Sequence, residues 1–211
     1  VYTISPEERP YLFEPFLNNH VEWDSEYYIS IALQGYDDTR VPFLENDRGE
    51  RLSLNYAFLP FYPFTMRLLS YPLRIFGLTP TATASLAGVL VSLVATLGAM
   101  IALYDLTQEE LGPAGGMRAT FYLLIFPTGF FLAQLYTEAL FLALAFGSLA
   151  LLRHKHWVWA AILAALATWT RGVGLALVIP LAIAWLKQID WQPFSARKVL
   201  TWRMIGTALL V

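Results

Sequence analysis

Cysteine is absent from the chain, and charged side chains are scarce. Without cysteine there is no disulfide, no zinc site built on thiolates and no cysteine nucleophile. Only 14% of the 211 residues are Asp, Glu, Lys or Arg, whereas soluble globular domains have about 25%. A basic excess is also missing, because the net charge is −2. The composition therefore argues against the cationic surface on which nucleic-acid binding depends.

Apolar side chains take the place of the missing charges. Hydrophobic residues make up 57% of the chain and aromatic residues 15%, and the mean hydropathy is +0.51. Much of this excess lies in stretches without a charged residue, at 82–104, 119–137, 157–170 and 172–186. The first stretch is close to the ~20 residues that a helix needs to cross a hydrocarbon core. We therefore expect an all-α, polytopic membrane protein.

Two apolar regions are too long for a single span. Residues 119–152 are interrupted only by Glu138, and residues 157–186 only by Arg171 and Gly172. As single helices they would measure roughly 50 and 45 Å, against a hydrocarbon core of about 30 Å. We expect the chain to fold back just before Glu138, after Pro127, and again at Arg171.

Charge divides the chain into two predicted domains. Residues 1–81 carry 11 acidic and 6 basic side chains, whereas residues 82–211 carry 5 and 8. Most bases of the second part lie in connectors between apolar stretches, which is typical of cytoplasmic loops. We predict an extracytoplasmic loop domain at 1–81 and a transmembrane helix bundle of about five spans at 82–211, the last incomplete. Three prolines and two arginines within 56–77 favour an interfacial or re-entrant helix there.

The ends of the chain suggest a longer protein. The first residue is Val1, not Met, and Val211 falls inside a new apolar segment. We expect a fragment that lacks the first and the C-terminal spanning helices.

The loop domain contains one clear signal for a short helix, between Asp24 and Gly35. Aspartate suits an N-cap position, and glycine suits the position just beyond a helix C-terminus. Trp23, Tyr27 and Tyr28 lie at the start of this helix, and we expect them to anchor it at a membrane interface.

Three ionisable residues are expected to meet on the extracytoplasmic face: Asp24, Glu138 and Arg171. Each has a structural alternative, since carboxylates suit helix N-termini and a cation suits a helix C-terminus. Together they supply a base that can deprotonate a hydroxyl and a guanidinium that can bind a departing phosphate. This pairing favours an anionic, lipid-linked substrate. Glu22 and Glu26 flank Asp24 closely, so these patterns leave the choice of base open among the three.

The sequence predicts no metal site. His154 and His156 are two residues apart, a spacing that does not share a helix face, so a basic turn is the better interpretation. Asp37, Asp38 and Asp47 could contact a divalent cation, but a solvated loop is favoured.

Four segments occur in an order that resembles the PIG-V-like mannosyltransferases. They are WDSEYYISIALQGY at 23–36, AFLPFYPFTMRLL at 57–69, FPTGFFLAQLYTEALFLALAFGSLALL at 126–152 and LAALATWTRGVGL at 163–175. This family comprises GPI mannosyltransferase II and its bacterial relatives in the GT-C superfamily. The most specific elements are the Trp-Asp pair, the F-x-P-x-Y-P run, and the Y-T-E-A-L and T-R-G segments.

The resemblance implies a polytopic, inverting glycosyltransferase that takes a sugar, typically mannose, from a polyprenyl-phosphate donor. It implies catalysis on the extracytoplasmic or lumenal side of the bacterial plasma membrane or the endoplasmic reticulum. Asp24 matches the acidic residue expected to act as the catalytic base. The remaining candidates are assigned to substrate binding: Trp23, Glu26, Tyr28, Tyr136, Glu138 and Arg171. The acceptor is a lipid or a glycan. No metal is required, although a divalent cation stays an alternative.

The chain departs from the family pattern at two places. Ser25 stands where eukaryotic members often have glycine, and the run from Arg171 to Gly174 differs from the Arg-Ser/Gly-Asn-Gly type. These differences leave the acceptor and the sugar open.

Two other classes of protein compete with the enzyme. A transporter or flippase for an anionic lipid or solute would also have broken helices with charges near the breaks, but it should show related broken segments in two halves. A structural membrane subunit would explain the apolar segments, but it would give the Trp23-Asp24 loop no function.

Overall fold

The computed structural model describes residues 11–12, 17–45 and 47–187. The described residues form two compact units. The first unit contains the described residues up to Leu97 together with Leu124–Leu140, and the second contains Gly98–Leu123 together with the described residues from Phe141 onward. The predicted boundary at residue 81 stays a prediction.

Helices dominate the described chain, as the composition predicts. The α-helices are α1 (Ser25–Leu33), α2 (Phe61–Leu73), α3 (Pro80–Ile125), α4 (Glu138–Arg153), α5 (Trp157–Thr170) and α6 (Val178–Leu186). Short 3-10 helices occupy Asn18–His20, Leu54–Ala57, Arg74–Phe76, Gly129–Ala133 and Gly172–Leu177.

A small β-ribbon departs from the all-α prediction. Strand β1 (Phe43–Glu45) pairs antiparallel with β2 (Arg51–Ser53), and Leu44 lies opposite Leu52. Gly49 adopts a φ of +74° in the connection between the strands, a conformation that glycine takes without steric cost. The prediction overlooked the ribbon because each strand is only three residues long.

Helix α1 begins and ends where the sequence predicts. Asp24 occupies the N-cap position, and Gly35 beyond the C-terminus has a φ of +95°. The helix is buried from Ser25 to Ala32. Tyr27 is only 8% exposed and stacks on Phe58 with 4.8 Å between ring centroids. The expectation that Tyr27 and Tyr28 anchor the helix at a membrane interface is therefore wrong, because both rings belong to the interior of the first unit.

Helix α2 forms within the proline-rich segment and packs against α1. Its 13 residues measure roughly 20 Å, which is too short to cross a core of about 30 Å. Arg67 is one of the two arginines in this apolar segment, and its charge has a structural role. Its Nε donates to the carbonyl of Ala32 at 2.6 Å, and its Nη2 donates to the carbonyl of Ile31 at 2.9 Å. A guanidinium thereby satisfies carbonyls at the C-terminal end of α1, where a cation is favourable. Membrane placement of α2 stays a prediction.

Helix α3 is two helical limbs that meet at Gly112, whose φ of +71° and ψ of +169° are not helical. A Cβ added at Gly116 would lie 2.8 Å from the ring of Tyr104 and 3.3 Å from Gln108. In one straight helix, positions 104 and 116 would be roughly 18 Å apart. The chain therefore reverses at Gly112, and Pro113 opens the second limb, where its missing N–H costs no hydrogen bond.

The two predicted breaks in the later apolar regions are present. Residues 126–137 separate α3 from α4 and contain only a short 3-10 helix, and Arg171 is extended, with a φ of −146° and a ψ of +130°. After Arg171 the chain returns along α5. A Cβ added at Gly174 would lie 2.5 Å from the backbone nitrogen of Thr168, so only glycine allows this close approach.

Among the described residues, only α3 is long and apolar enough to cross a membrane, with a mean hydropathy of 2.4 over its most apolar part. Helices α4, α5 and α6 have 16, 14 and 9 residues and fall short of the ~20 that a straight span requires. The number of spans therefore stays a prediction. The predicted incomplete last span lies outside the described residues.

Candidate active site

Asp24 lies in a tight turn at the start of α1. We call residues 22–25 the Asp24 turn. Its backbone is closed by the N–H of Ser25, which donates to the carbonyl of Glu22 at 3.0 Å. The N–H of Glu22 in turn donates to the Ser25 hydroxyl at 3.2 Å. These two bonds fix the backbone on either side of Trp23 and Asp24.

The Asp24 carboxylate is exposed and serves no capping role among the described residues, although Asp24 occupies the N-cap position. Its φ of −72° and ψ of −11° are helical, whereas a residue whose side chain caps a helix typically has extended dihedrals. The structural alternative for this residue, an ordinary N-cap, is therefore not realised. The carboxylate remains available to a substrate.

Trp23 projects from the same turn. Its φ of +44° places it in the left-handed region, which is unusual for a bulky side chain. The indole is 60% exposed and lies beside Phe131, with 6.3 Å between ring centroids. An aromatic surface and an exposed carboxylate thus stand next to each other.

A segment more than a hundred residues later holds the turn in place. The Ser25 hydroxyl is fully buried and donates to the carbonyl of Leu135 at 3.0 Å. The N–H of Leu135 donates to the carbonyl of His20 at 3.1 Å, and the His20 ring contacts the carbonyl of Ala133 through Nδ1 at 3.0 Å. These bonds connect the start of α1 to residues 133–135, the stretch that leads into α4.

Tyr136 adds the contact nearest to Asp24. Its hydroxyl accepts the N–H of Asp24 at 3.2 Å and donates to the carbonyl of Glu22 at 3.1 Å. Burial is the largest cause that raises the pKa of Tyr136, which reaches about 12 once the lowering by the Asp24 amide bond and the raising by the negative charges of Asp24, Glu138 and Glu22 are included. Three carboxylates therefore act on one buried hydroxyl.

Glu138 is the first residue of α4 and is partly buried. Its position at a helix N-terminus agrees with the structural alternative, since the helix dipole favours a carboxylate there. Its charge also acts on the hydroxyls of Tyr136 and Tyr62. The structure therefore brings two of the three predicted ionisable residues, Asp24 and Glu138, to the surroundings of the same tyrosine.

Arg171 belongs to the second unit, at the end of α5, and is partly buried. Its carbonyl accepts the N–H of Gly174, which begins the return of the chain. That Arg171 lies close to Asp24 and Glu138 stays a prediction.

Two other predicted substrate-binding residues lie inside the first unit. Glu26 is 1% exposed and Tyr28 is 6% exposed. The Tyr28 ring meets Phe58, Tyr62 and Tyr136 edge-on, with centroids 5.1, 5.3 and 6.3 Å away. Burial also separates the three candidate bases, because Glu26 is enclosed whereas Glu22 and Asp24 are exposed.

Asp38 is engaged in the interior of the first unit. Its carboxylate accepts hydrogen bonds from the hydroxyls of Tyr11 and Ser30 and from the guanidinium of Arg40 at 3.0 Å. Burial acts to raise the pKa of Asp38, but the hydrogen bonds from Arg40, Tyr11 and Ser30 outweigh it and lower the pKa. Asp38 therefore organises the chain after α1.

Within the described ranges, no three His, Asp or Glu side chains are grouped so that they could hold a metal ion. The two histidines of the predicted basic turn have different surroundings. His154 contacts Asp105 at 2.8 Å, and Arg153 pairs with Glu109 and donates to the carbonyl of Leu106 at 2.7 Å. His156 occupies the N-cap position of α5.

Sequence reasoning missed the residues that hold the Asp24 turn, namely His20, Ser25 and Leu135. Ser25 stood out only as a departure from a family pattern, and no local signal pointed to a partner 110 residues away.

Comparison with known proteins supports the resemblance to the PIG-V-like mannosyltransferases. The family model described as mannosyltransferase (PIG-V) matches residues 4–193. The chain is 32% identical over 171 residues to GPI alpha-1,6-mannosyltransferase 2 of Cricetulus griseus, covering 79% of this chain and 32% of that protein. It is also 32% identical over 168 residues to the protein of the same name from Mus musculus, covering 78% of this chain and 31% of that protein.

The chain thus spans about a third of the length of these two relatives. No solved structure matches it significantly. The family match extends from residue 4 to residue 193 and includes the Asp24 turn, Tyr136, Glu138 and Arg171. The chain therefore belongs to the mannosyltransferase (PIG-V) family.

Proposed function

We propose that this chain carries the catalytic loop of a membrane glycosyltransferase that transfers mannose from a polyprenyl-phosphate donor to a lipid or glycan acceptor. Family membership supports the transferase class. The observation that carries the proposal is the Asp24 carboxylate, which is exposed beside an exposed indole and, among the described residues, caps no helix.

The reaction is a single displacement with inversion at the anomeric carbon. Asp24 removes the proton from an acceptor hydroxyl, whose oxygen then attacks the anomeric carbon of the donor. The bond between that carbon and the phosphate oxygen breaks, and the polyprenyl phosphate leaves with the bonding electrons. The proton remains on the Asp24 carboxylate until solvent removes it.

The other predicted residues are assigned roles in this step. Arg171 binds the departing phosphate, since a guanidinium offers two parallel donors to a phosphate group. Glu138 orients the sugar or the acceptor. Trp23 contacts the substrates through its exposed indole, whereas Glu26, Tyr28 and Tyr136 are buried and support this surface from inside the first unit. The negative charge of a monophosphate is met by the arginine, so the step requires no metal.

The reaction belongs on the extracytoplasmic side of the membrane in this proposal. Arg118 lies in the second limb of α3, near the reversal at Gly112, and Arg153 ends α4; basic residues near such turns favour a cytoplasmic position for the turns. The break before Glu138 then faces the opposite side, together with residues 1–81. The compartment is the bacterial plasma membrane or the endoplasmic reticulum.

Donor choice and stereochemistry test this proposal. Membranes that contain the full-length protein are supplied with polyprenyl-phosphate-mannose or with polyprenyl-phosphate-glucose, each radiolabelled in the sugar. We expect transfer from the mannose donor and a product whose anomeric configuration is opposite to that of the donor. Transfer from glucose alone would overturn the sugar assignment, and retention of configuration would overturn the single displacement. No transfer from either donor would overturn the proposed function.

A further inference from the structure

The Tyr136 hydroxyl bridges the two peptide groups on either side of Trp23. It donates to the carbonyl of Glu22, in the peptide that precedes Trp23, at 3.1 Å. It accepts the N–H of Asp24, in the peptide that follows Trp23, at 3.2 Å. Tyr136 is itself 7% exposed, and its ring is packed edge-on against Phe131 at 5.1 Å and Tyr28 at 6.3 Å. The buried Tyr136 thus holds the backbone on both sides of the exposed Trp23.

The bridged residue is in a strained conformation. Trp23 has a φ of +44°, and a non-glycine residue in the left-handed region costs roughly 1–3 kcal/mol. Such a conformation persists only where its surroundings enforce it. With 60% of Trp23 exposed, packing of the side chain restrains the backbone little. The hydrogen bonds of Tyr136 on both sides of Trp23 supply restraint together with the two bonds between Glu22 and Ser25.

This restraint determines the direction of the Asp24 carboxylate. Asp24 has helical dihedrals at an N-cap position, where an extended backbone would let the carboxylate bond to the amides of α1. Because the Asp24 amide is bound to Tyr136, the turn cannot relax toward that capped arrangement without losing the bond. The carboxylate therefore stays exposed.

We propose that Tyr136 is a positioning residue, which keeps Asp24 and Trp23 turned outward toward the substrates by holding the backbone of the Asp24 turn. This inference rests on the proposed function, in which Asp24 is the base. It assigns to Tyr136 an effect through the turn, distinct from a bond between its hydroxyl and a substrate.

Tyr136→Phe tests the inference, with Tyr11→Phe as the matched control. Tyr11 is 2% exposed in the same unit, and its hydroxyl donates to the Asp38 carboxylate, which lies outside the Asp24 turn. Both variants lose one buried hydroxyl. We expect kcat for mannosyl transfer to fall about 10- to 100-fold in Tyr136→Phe, since small displacements of a reacting group have effects of this size. KM for the donor should stay within about twofold of wild type, and Tyr11→Phe should keep most of the wild-type kcat.

Hydrogen exchange at the Asp24 amide supplies a readout that needs no activity. We expect exchange of this amide to be faster in Tyr136→Phe than in wild type and unchanged in Tyr11→Phe. A lower kcat without faster exchange, or a rise in KM at unchanged kcat, would overturn the positioning role. Faster exchange at wild-type kcat would overturn it as well. If wild type transfers no mannose but exchange still responds as expected, the proposed function fails while the restraint on the turn stands.

A second pair of variants covers the case in which Tyr136→Phe does not fold. Trp23→Gly and Trp23→Ala both remove the indole, but only glycine accepts a φ of +44° without strain. We expect the glycine variant to be more stable than the alanine variant by several degrees in thermal unfolding. Equal stability would show that the turn is not held in the left-handed conformation and would overturn the inference.

Discussion

The N–H of Asp24 donates to the hydroxyl of Tyr136 at 3.2 Å, across 112 residues of sequence. This bond connects the loop that carries the proposed base to the segment that opens α4 at Glu138. Nearby bonds of His20 and Ser25 follow the same path, to Ala133 and Leu135. The proposed base is therefore part of the interior framework of the first unit, although its carboxylate is exposed.

The buried Ser25 hydroxyl should contribute measurably to stability. Ser25→Ala removes the bond to the Leu135 carbonyl and leaves that buried acceptor without its donor, which costs about 1–3 kcal/mol. We expect thermal unfolding in detergent to shift down by several degrees. Ser70→Ala is the control, because among the described residues the Ser70 hydroxyl bonds only within its own helix, to the carbonyl of Met66. Equal shifts for the two variants would contradict the account of the turn.

Arg67 should matter through its two bonds to the end of α1. Lysine keeps the charge, but its single ammonium cannot reproduce the fixed fork that reaches both Ile31 and Ala32. We expect Arg67→Lys to lower the free energy of unfolding by about 1–2 kcal/mol. Arg74→Lys, at an exposed arginine over the ring of Tyr71, should have little effect. Chemical denaturation of the purified variants measures the difference, and a larger loss in Arg74→Lys would reverse the assignment.

Gly174 should not tolerate a side chain. A Cβ there would lie 2.5–2.7 Å from backbone atoms of Ala167 and Thr168, which cannot move aside without displacing α5. We expect Gly174→Ala to destabilise the protein by about 1–3 kcal/mol, the usual cost of overpacking. Gly172→Ala is the matched control, because a Cβ at Gly172 meets nothing within 4 Å. A neutral Gly174→Ala would show that the chain does not return along α5 as described.

Asp38 should make stability depend on pH in the acid range. Hydrogen bonds from Arg40, Tyr11 and Ser30 outweigh burial and hold the pKa of Asp38 below its ordinary value in the folded state. A lowered pKa adds stability above the unfolded value of about 3.9, and that stability is lost as the pH falls through the folded value. We expect Asp38→Asn to be less stable than wild type at pH 6 and to approach it as the pH falls below the folded pKa of Asp38.

Asp47→Asn serves as the comparison for Asp38, because Asp47 is an exposed carboxylate of the ribbon turn. Its unfolding midpoint should follow that of wild type at every pH. A constant difference between Asp38→Asn and wild type across the range would show that the carboxylate contributes no pH-dependent stability.

Local signals predicted those parts of the fold that depend on neighbouring residues. Asp24 and Gly35 bracket α1 because these residue types are favoured at an N-cap position and in the left-handed conformation beyond a C-terminus, although the Asp24 side chain makes no capping bond. The break before Glu138 and the break at Arg171 followed from length alone, since the uninterrupted helices would have exceeded a membrane.

Contacts between distant residues were beyond such reasoning. Tyr27 and Tyr28 were expected at a membrane interface because an aromatic residue beside a polar loop has the same pattern whether its ring faces lipid or protein. Their burial depends on Phe58 and Tyr62, which lie 30 or more residues later. The roles of Ser25 and Tyr136 likewise depend on partners more than 100 residues away, which one sequence does not reveal.

The central claim is that Asp24 acts as the base in mannosyl transfer, and one comparison tests it most directly. Radiolabelled mannose transfer from polyprenyl-phosphate-mannose is measured in membranes with wild type, Asp24→Asn and Glu22→Gln at equal protein levels. Glu22 is an exposed carboxylate of the same turn, so it controls for the loss of a negative charge there. We predict that transfer collapses in Asp24→Asn, because asparagine keeps the shape and removes the base, and that Glu22→Gln retains most of it. Wild-type transfer by Asp24→Asn, or loss of transfer in Glu22→Gln alone, would contradict the assignment of Asp24 as the base.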